Sequence, residues 1–280
     1  MKVGVEVVTG FLGAGKSAFI NSLIDKTIVE NEKIVVMLCE SGNTTVKERN
    51  CNNLKQEEYK VNSSKDIKKG NDIGYVKVIE FMDESEKMKD KLLDIISSYN
   101  PNRIIIEYNG TESLDYLYRS VFNKEIEKKC RIYTMYYICD GENVEFYIKN
   151  MGDILLPFIQ NSDVIVINNY TKLKSREIEN RESENIKTKN ARQERDNIKS
   201  SKDNKSRYSK DNIESGDCLH NIIKELEALN NRAHIILAKN NEDISKALEE
   251  SNLLESKTVR NIRVKLQDVL KNSKQVRKWM

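Results

Sequence analysis

The run Gly10-Phe11-Leu12-Gly13-Ala14-Gly15-Lys16-Ser17 has the spacing G-x-x-x-x-G-K-[ST]. It follows a β-branched stretch, Val3–Thr9, and opens a segment with Phe19, Ile20, Leu23 and Ile24 at helical spacing. A strand before and a helix after form the context in which this pattern cradles phosphates. The chemistry needs these residue types. Glycines let the backbone curl until successive N–H groups converge on phosphate oxygens, and the helix N-terminus adds partial positive charge. Lys16 is placed to reach the β- and γ-phosphates, and Ser17 to ligate Mg²⁺. Gly10, Gly13, Ala14, Gly15, Lys16, Ser17 and Ala18 are therefore candidate contacts for a nucleoside triphosphate.

The rest of the chain must position that loop. Apolar runs at Lys33–Glu40, Gly74–Phe81, Arg103–Glu107, Ile132–Asp140, Asp163–Asn168 and His234–Leu237 read as buried strands. Helical patterns alternate with them at Ser17–Lys26, Glu84–Tyr99, Ser113–Phe122, Val144–Gln160, Leu219–Leu229 and Ile244–Leu248. The alternation predicts an α/β fold, a mostly parallel sheet with helices on both faces. Residues 41–73 lack a period and read as a long loop. In such sheets ligands bind beyond the carboxyl ends of the strands. Three strand ends carry polar residues: Glu40-Ser41-Gly42, Glu107-Tyr108-Asn109-Gly110 and Asn168-Asn169-Tyr170-Thr171. Glu107, closing Ile104-Ile105-Ile106, is a candidate Mg²⁺-side or water-positioning carboxylate. Glu40 is a second catalytic candidate beside Lys16, and Asp140 a third strand-end acid.

The stretch Val8–Asn21 resembles the start of the CobW-like GTPases, the group that includes the HypB and UreG proteins. The resemblance extends to Glu40 and Gly42 of a Glu-x-Gly, to Glu107 and Gly110 of a Glu-x-x-Gly Walker B element, and to Asp140. It also takes in Asn168, in the place of the first residue of a guanine-reading Asn-Lys-x-Asp. It implies a P-loop NTPase fold, GTP with Mg²⁺ held by Ser17 and Glu107, and Asn168 at the base. Three features depart from that pattern. Asn169 and Thr171 replace the Lys and Asp, so discrimination between GTP and ATP should be weak, since one hydroxyl cannot act as a bidentate acceptor. Phe81-Met82-Asp83-Glu84-Ser85-Glu86 has no cysteine where the family carries a Cys-x-Cys-Cys metal motif. The family's C-terminal domain with its His-rich stretch is also missing, and only His220 and His234 occur in the chain.

Composition bounds the remainder. The 280 residues are 38% hydrophobic and 32% charged, so part of the chain lies outside any core. Lys172–Asp217 is half charged, and Ile178, Ile186, Ile198, Tyr208 and Ile213 follow no period; it predicts a disordered insertion. The expected organisation is a nucleotide-binding core over 1–171, that insertion over 172–217, the end of the same domain over 218–256, and a basic tail over 257–280. The tail carries Lys257, Arg260, Arg263, Lys265, Lys271, Lys274, Arg277 and Lys278 against Asp268 alone, within a chain of net charge +3. Its apolar residues approximate one helical face, and it could contact an acidic partner. Five cysteines, Cys39, Cys51, Cys130, Cys139 and Cys218, show no C-x-x-C spacing and fit reduced thiols. Cys39, Cys130, Cys139 and Cys218 read as small buried hydrophobes, with Cys39 as a site thiol or in a metal pair with Cys51 as the alternatives, and His234 reads as a core histidine. No run is long enough to span a membrane, and a phosphate loop at Gly10 leaves no room for a leader, so the expected location is the cytoplasm. The expected function is a slow GTPase, a conformational switch that serves a client protein in metal-cofactor or metalloprotein maturation, with a homodimer as one assembly. The competing expectation is a degenerate nucleotide- or partner-binding module without metal delivery.

Overall fold

The computed structural model describes residues 2–28, 32–40, 45–50, 74–82, 87–121, 123–172 and 217–251. Eight strands form one sheet: β1 (Val3–Thr9), β2 (Lys33–Leu38), β3 (Arg49–Asn50), β4 (Tyr75–Glu80), β5 (Arg103–Glu107), β6 (Cys130–Asp140), β7 (Val164–Asn168) and β8 (His234–Leu237). Their order is β3-β4-β2-β5-β1-β6-β7-β8. Every neighbouring pair is parallel except β3 with β4. The helices are α1 (Lys16–Thr27), α2 (Met88–Tyr99), α3 (Leu114–Val121), α4 (Lys124–Lys129), α5 (Val144–Asn161), α6 (Asp217–Leu229) and α7 (Ile244–Glu250).

The strand period of two splits each apolar run between two cores. Val5, Val7, Ile104, Ile106 and Ile165 face one side, against Leu92 of α2, Leu117 of α3, Ile126 of α4, Phe158 of α5 and Leu226 of α6. Val8, Ile105, Val164 and Val166 face the other, against Phe19, Ile20, Leu23 and Ile24 of α1 and Ile244 and Leu248 of α7. Both faces are dry, so β5 and β7 are buried along their whole length and read as unbroken apolar runs. Each buried Ile or Leu contributes about 1.5–3 kcal/mol. The expected sheet with helices on both faces is the fold.

The details differ from expectation in four places. Within the stretch read as a loop, Arg49–Asn50 forms a two-residue antiparallel edge strand on β4, too short to leave a period. Residues 41–44 and 51–73 lie outside the described residues. Helix α4 was not legible, because six residues with only Ile126 buried show no amphipathic face. The helical pattern from Glu84 begins in the structure at Met88, with 83–86 outside the described residues. His234 is exposed rather than a core residue, because β8 is the sheet's edge and His234 is its first residue. Most of the insertion (173–216) and the tail also lie outside the described residues.

At the amino-terminal end of β5 a single guanidinium answers two carboxylates. Arg103 is 5% exposed and Glu6 3%. Arg103 Nη1 donates to Thr27 Oγ1 (2.8 Å) and lies 3.6 Å from Glu6 Oε2, while Nε lies 3.1 Å from Glu32 Oε1. The cluster ties β5 to the last turn of α1 and to the start of β2. Among the described residues Glu6 Oε2 has no hydrogen bond and depends on the ion pair. Replacing Arg103 by Met alone should therefore cost about 3–5 kcal/mol in urea denaturation, as an uncompensated buried carboxylate does. Glu6→Leu combined with Arg103→Met should recover much of that loss. Strict additivity of the two substitutions would show that the pair is not coupled.

Candidate functional site

β1 lies in the middle of the sheet, between β5 and β6, so the loop that leaves Thr9 emerges at the sheet's centre. Val8 is in register with Glu107, and Leu38 of β2 is in register with it too. The carboxyl ends of β1, β2 and β5 therefore bring Lys16, Ser17, Glu40 and Glu107 together.

The loop holds its shape through glycines at three close approaches. Gly10 has φ +143°, and a Cβ there would lie 2.0 Å from the Ile138 carbonyl oxygen. Gly15, with φ +102°, precedes α1, and a Cβ there would strike the side chains of Asn168 and Asn241 at 2.5 and 2.6 Å. Gly110 closes the turn after β5, and a Cβ on it would lie 2.5 Å from the Gly10 carbonyl oxygen. Helix α1 starts with no side-chain cap and no acid in its first turn. Its N-terminal N–H groups and dipole are thus left for an anion.

Lys16 and Ser17 are 3% and 8% exposed. Lys16 Nζ donates to the carbonyls of Gly10 and Phe11, each at 2.9 Å, and pairs with the Glu40 carboxylate. All three ammonium hydrogens have an acceptor. Ser17 Oγ lies 3.0 and 3.1 Å from the two carboxylate oxygens of Glu107. Burial pushes the Glu107 carboxyl up to about 7, opposed by the Ser17 hydrogen bond and the Lys16 charge and reinforced by Glu40. Cys39, between these groups, is partly buried. Desolvation and the Glu107 and Glu40 charges push its thiol up to about 12, so it stays protonated at neutral pH. Cys130 is pushed up by burial to about 11, and Cys139 higher still. Cys51 and the side chain of Cys218 lie outside the described residues.

The remaining candidates sit at the end of β7. Asn168 is fully buried, and its amide nitrogen donates to the Ala14 carbonyl (3.0 Å) and to Asn241 Oδ1 (2.6 Å). Its oxygen accepts from the Asn169 N–H. Asn168 thus fastens the phosphate loop to the end of β7. Asp140 is turned to its own neighbourhood, accepting from Asn143 (2.6 Å) and Asn169 (3.2 Å) side chains. Thr171 is exposed, and its hydroxyl donates to the Lys239 carbonyl (3.1 Å).

Two participants escaped the sequence reading. Asn241 follows β8 in a polar turn with no motif around it, and only the fold brings it to Asn168. Phe11 packs against Tyr147 of α5 with ring centroids 4.3 Å apart, bracing the outer side of the loop.

The donor set suits a hard cation. A serine hydroxyl and a carboxylate are oxygen ligands, and Mg²⁺ takes one or two such ligands and completes its shell with phosphate oxygens and water. Among the described residues no group of three or more His, Cys, Asp or Glu side chains could hold a metal ion by itself.

A family model described as "CobW/HypB/UreG, nucleotide-binding domain" matches residues 4–197. No curated protein sequence matches the chain significantly. Among solved structures, the Zn(II)-bound YjiA GTPase from E. coli is 18% identical, with 60% of this chain and 49% of that one covered and a TM-score of 0.40. This chain thus spans about half the length of that protein. The hydrogenase maturation factor HypB from Archaeoglobus fulgidus is 13% identical, with 89% of each chain covered and a TM-score of 0.46.

Two measurements check this geometry. The folded Glu107 carboxyl holds its proton up to about pH 7, whereas an unfolded one releases it near 4.5. Its contribution to stability is therefore present below the unfolded value and lost as pH rises through the folded one. Wild-type stability relative to Glu107→Gln should fall between about pH 4.5 and 7 and then level off; a flat difference would contradict the burial argument. Asn241→Ala removes one acceptor from a buried amide, at a cost of about 1–3 kcal/mol. Asn241→Asp keeps the acceptor and should restore most of that stability.

Proposed function

Because the chain belongs to the CobW/HypB/UreG nucleotide-binding-domain family, we propose that it binds GTP with Mg²⁺, hydrolyses it slowly and acts as a conformational switch. Its use would be to serve a client protein in metal-cofactor or metalloprotein maturation. The observation that carries this reading is the meeting of Ser17 Oγ with the Glu107 carboxylate beside Lys16 at the mouth of the glycine loop.

In the proposed mechanism the backbone N–H groups of Gly13–Ser17 surround the phosphates. Lys16 exchanges its pairing with Glu40 for the β- and γ-phosphate oxygens. Ser17 and Glu107 would hold Mg²⁺, which when bound would neutralise charge on the phosphate oxygens. Glu107 and Glu40, the two carboxylates at Ser17 and Lys16, are the groups that could orient a nucleophilic water. Asn168, itself held by Asn241, keeps the loop fixed while Lys16 moves. Slow turnover is the usual behaviour of such switches without an activating partner.

At the base end, Asn169 donates to Asp140 and Thr171 to the Lys239 carbonyl, and neither supplies a carboxylate. That favours a modest preference for GTP over ATP. The same observation, with the cysteine-free Phe81–Glu86 stretch, supports the second reading: a nucleotide- or partner-binding module without metal delivery. No helix among the described residues is long and apolar enough to cross a membrane. A cytoplasmic location, a homodimer, an acidic partner for the tail, and residues 172–217 as an insertion within one domain belong to the same proposal.

Nucleotide titrations with and without Mg²⁺ test it. Lys16→Ala should weaken triphosphate binding at least tenfold, about 1.4 kcal/mol. Unchanged affinity would mean that the loop does not hold phosphate. Glu107→Gln should slow hydrolysis more than it weakens binding. Thr171→Asp with Asn169→Lys should raise the GTP/ATP affinity ratio, and a wild type that already prefers GTP by about a thousandfold (roughly 4 kcal/mol) would refute the base argument.

A further inference from the structure

Helix α5 is interrupted near its middle. Met151, with φ −131° and ψ 25°, leaves the helical conformation. The two halves are anchored unequally. Leu155, Phe158 and Ile159 beyond the break are buried, and Val144 is buried at the start, whereas none of residues 145–154 is. Phe146 is 62% exposed. Beside the break the Asn150 side-chain amide donates to the Phe146 carbonyl (2.7 Å), a local bond that competes with the helix ladder. A Cβ on Gly152 would meet nothing nearer than the Leu156 side chain at 3.7 Å, so crowding does not require glycine there. What glycine supplies is backbone freedom next to Met151. A segment with so few buried contacts opens more readily than the packed half that follows it.

The loosely anchored half is tied to the glycine loop. Tyr147 packs on Phe11 with ring centroids 4.3 Å apart. The Phe11 carbonyl accepts from Lys16 Nζ at 2.9 Å, and the same ammonium serves the Gly10 carbonyl and the Glu40 carboxylate. An ammonium has three hydrogens, and here all three are used. Phosphate oxygens that take Lys16 must therefore displace these partners, the Phe11 carbonyl among them. A ligand shifts a conformational equilibrium only through interactions that differ between its states. The bond from Lys16 to Phe11 is such an interaction, and Phe11 is the loop residue in contact with α5.

We propose that residues 144–151 of α5 are the moving arm of the switch: a phosphate that captures Lys16 frees the Phe11 peptide, and the Phe11–Tyr147 contact passes that change to the arm, which turns about Met151 and Gly152. The inference rests on the triphosphate reading above and adds the element that moves. An unbroken helix would hold Tyr147 to the same rigid body as Leu155, Phe158 and Ile159. The break lets the near half respond while the far half stays in the core. Phe146, exposed on the arm, is the side chain through which the nucleotide state reaches the surface.

The test is amide hydrogen exchange of the full chain, free and saturated with a non-hydrolysable GTP analogue and Mg²⁺, with calorimetry on the same samples to establish binding. In the free protein, amides 148–151 should exchange at least about tenfold faster than amides 158–161. Saturation should speed exchange at 148–151 by at least about threefold, because the arm loses its brace, and leave 158–161 unmoved. Tyr147→Leu removes the ring contact and should abolish the nucleotide response of the arm at saturation, whatever its affinity. If that variant does not fold, Gly152→Ala serves, since a methyl has room there and alanine favours the helix. It should cut the response at 148–151 to less than about half. Bound nucleotide with unchanged exchange at 148–151 overturns the arm and leaves the nucleotide reading standing. So does an equal response in wild type, Tyr147→Leu and Gly152→Ala. Absence of triphosphate binding by calorimetry removes the nucleotide reading and the arm together.

Discussion

One buried ammonium sits among more negative charge than it can balance. Lys16 pairs with Glu40, and Glu107 lies on the neighbouring strand end, bonded to Ser17. Ionising both carboxylates would leave the cluster one charge in excess in a place that water barely reaches. Burial therefore pushes Glu107 up to about 7, and a proton partly supplies the missing positive charge. The consequence for the proposed ligand is direct. Phosphate oxygens that draw Lys16 away from Glu40 leave two carboxylates with no cation between them. A divalent cation at Ser17 and Glu107 removes that excess, so nucleotide and Mg²⁺ are expected to enter together rather than in sequence.

The architecture exists to hold this cluster in place. Parallel strands align their carboxyl ends, and the central position of β1 puts the glycine loop where β2 and β5 can supply acids from the same side. The close approaches explain why the loop needs glycine where it does. Gly110 allows the turn after β5 to touch the Gly10 carbonyl, and Gly15 allows Asn168 and Asn241 to sit against the start of α1. At the opposite end of β5, the Arg103 cluster anchors the same strand to α1. Glu107 and Ser17 are thus carried by two elements joined at both ends, which keeps their separation fixed.

Features set by local sequence were legible without the structure. The loop, the strand–helix alternation and Glu107 at the end of an isoleucine run each follow from neighbouring residues. Features set by distant contacts were not. Asn241 lies 73 positions from the side chain it bonds, in a turn of ordinary composition. Glu6 and Arg103 sit in strands that read as apolar, and only their register shows that one guanidinium neutralises two acids. His234 occurs in an apolar run, but a run cannot reveal that its strand lies at the sheet edge. Residues 49–50 and 124–129 are too short to carry a period at all.

The two ends of the nucleotide site are built to different standards. In the proposed reading the phosphate end is over-determined: backbone N–H groups, a helix dipole, Lys16 and the Ser17–Glu107 pair would all act on the same charged group, and charge-assisted hydrogen bonds are the strong ones. The base end rests on neutral groups already paired with their own backbone. Thr171 donates to the Lys239 carbonyl, and the Lys239 N–H is in turn held by Asp243 (3.1 Å). A base must compete with those internal bonds, and exchanging one hydrogen bond for another yields little net free energy. Affinity for a triphosphate can therefore remain high while discrimination between bases falls, because the two properties reside in different parts of the fold. Asn168 is the point where they meet. It is the last residue of β7, and its amide is bonded to Ala14 in the glycine loop, so in the proposed reading it supports the half of the site that binds charge.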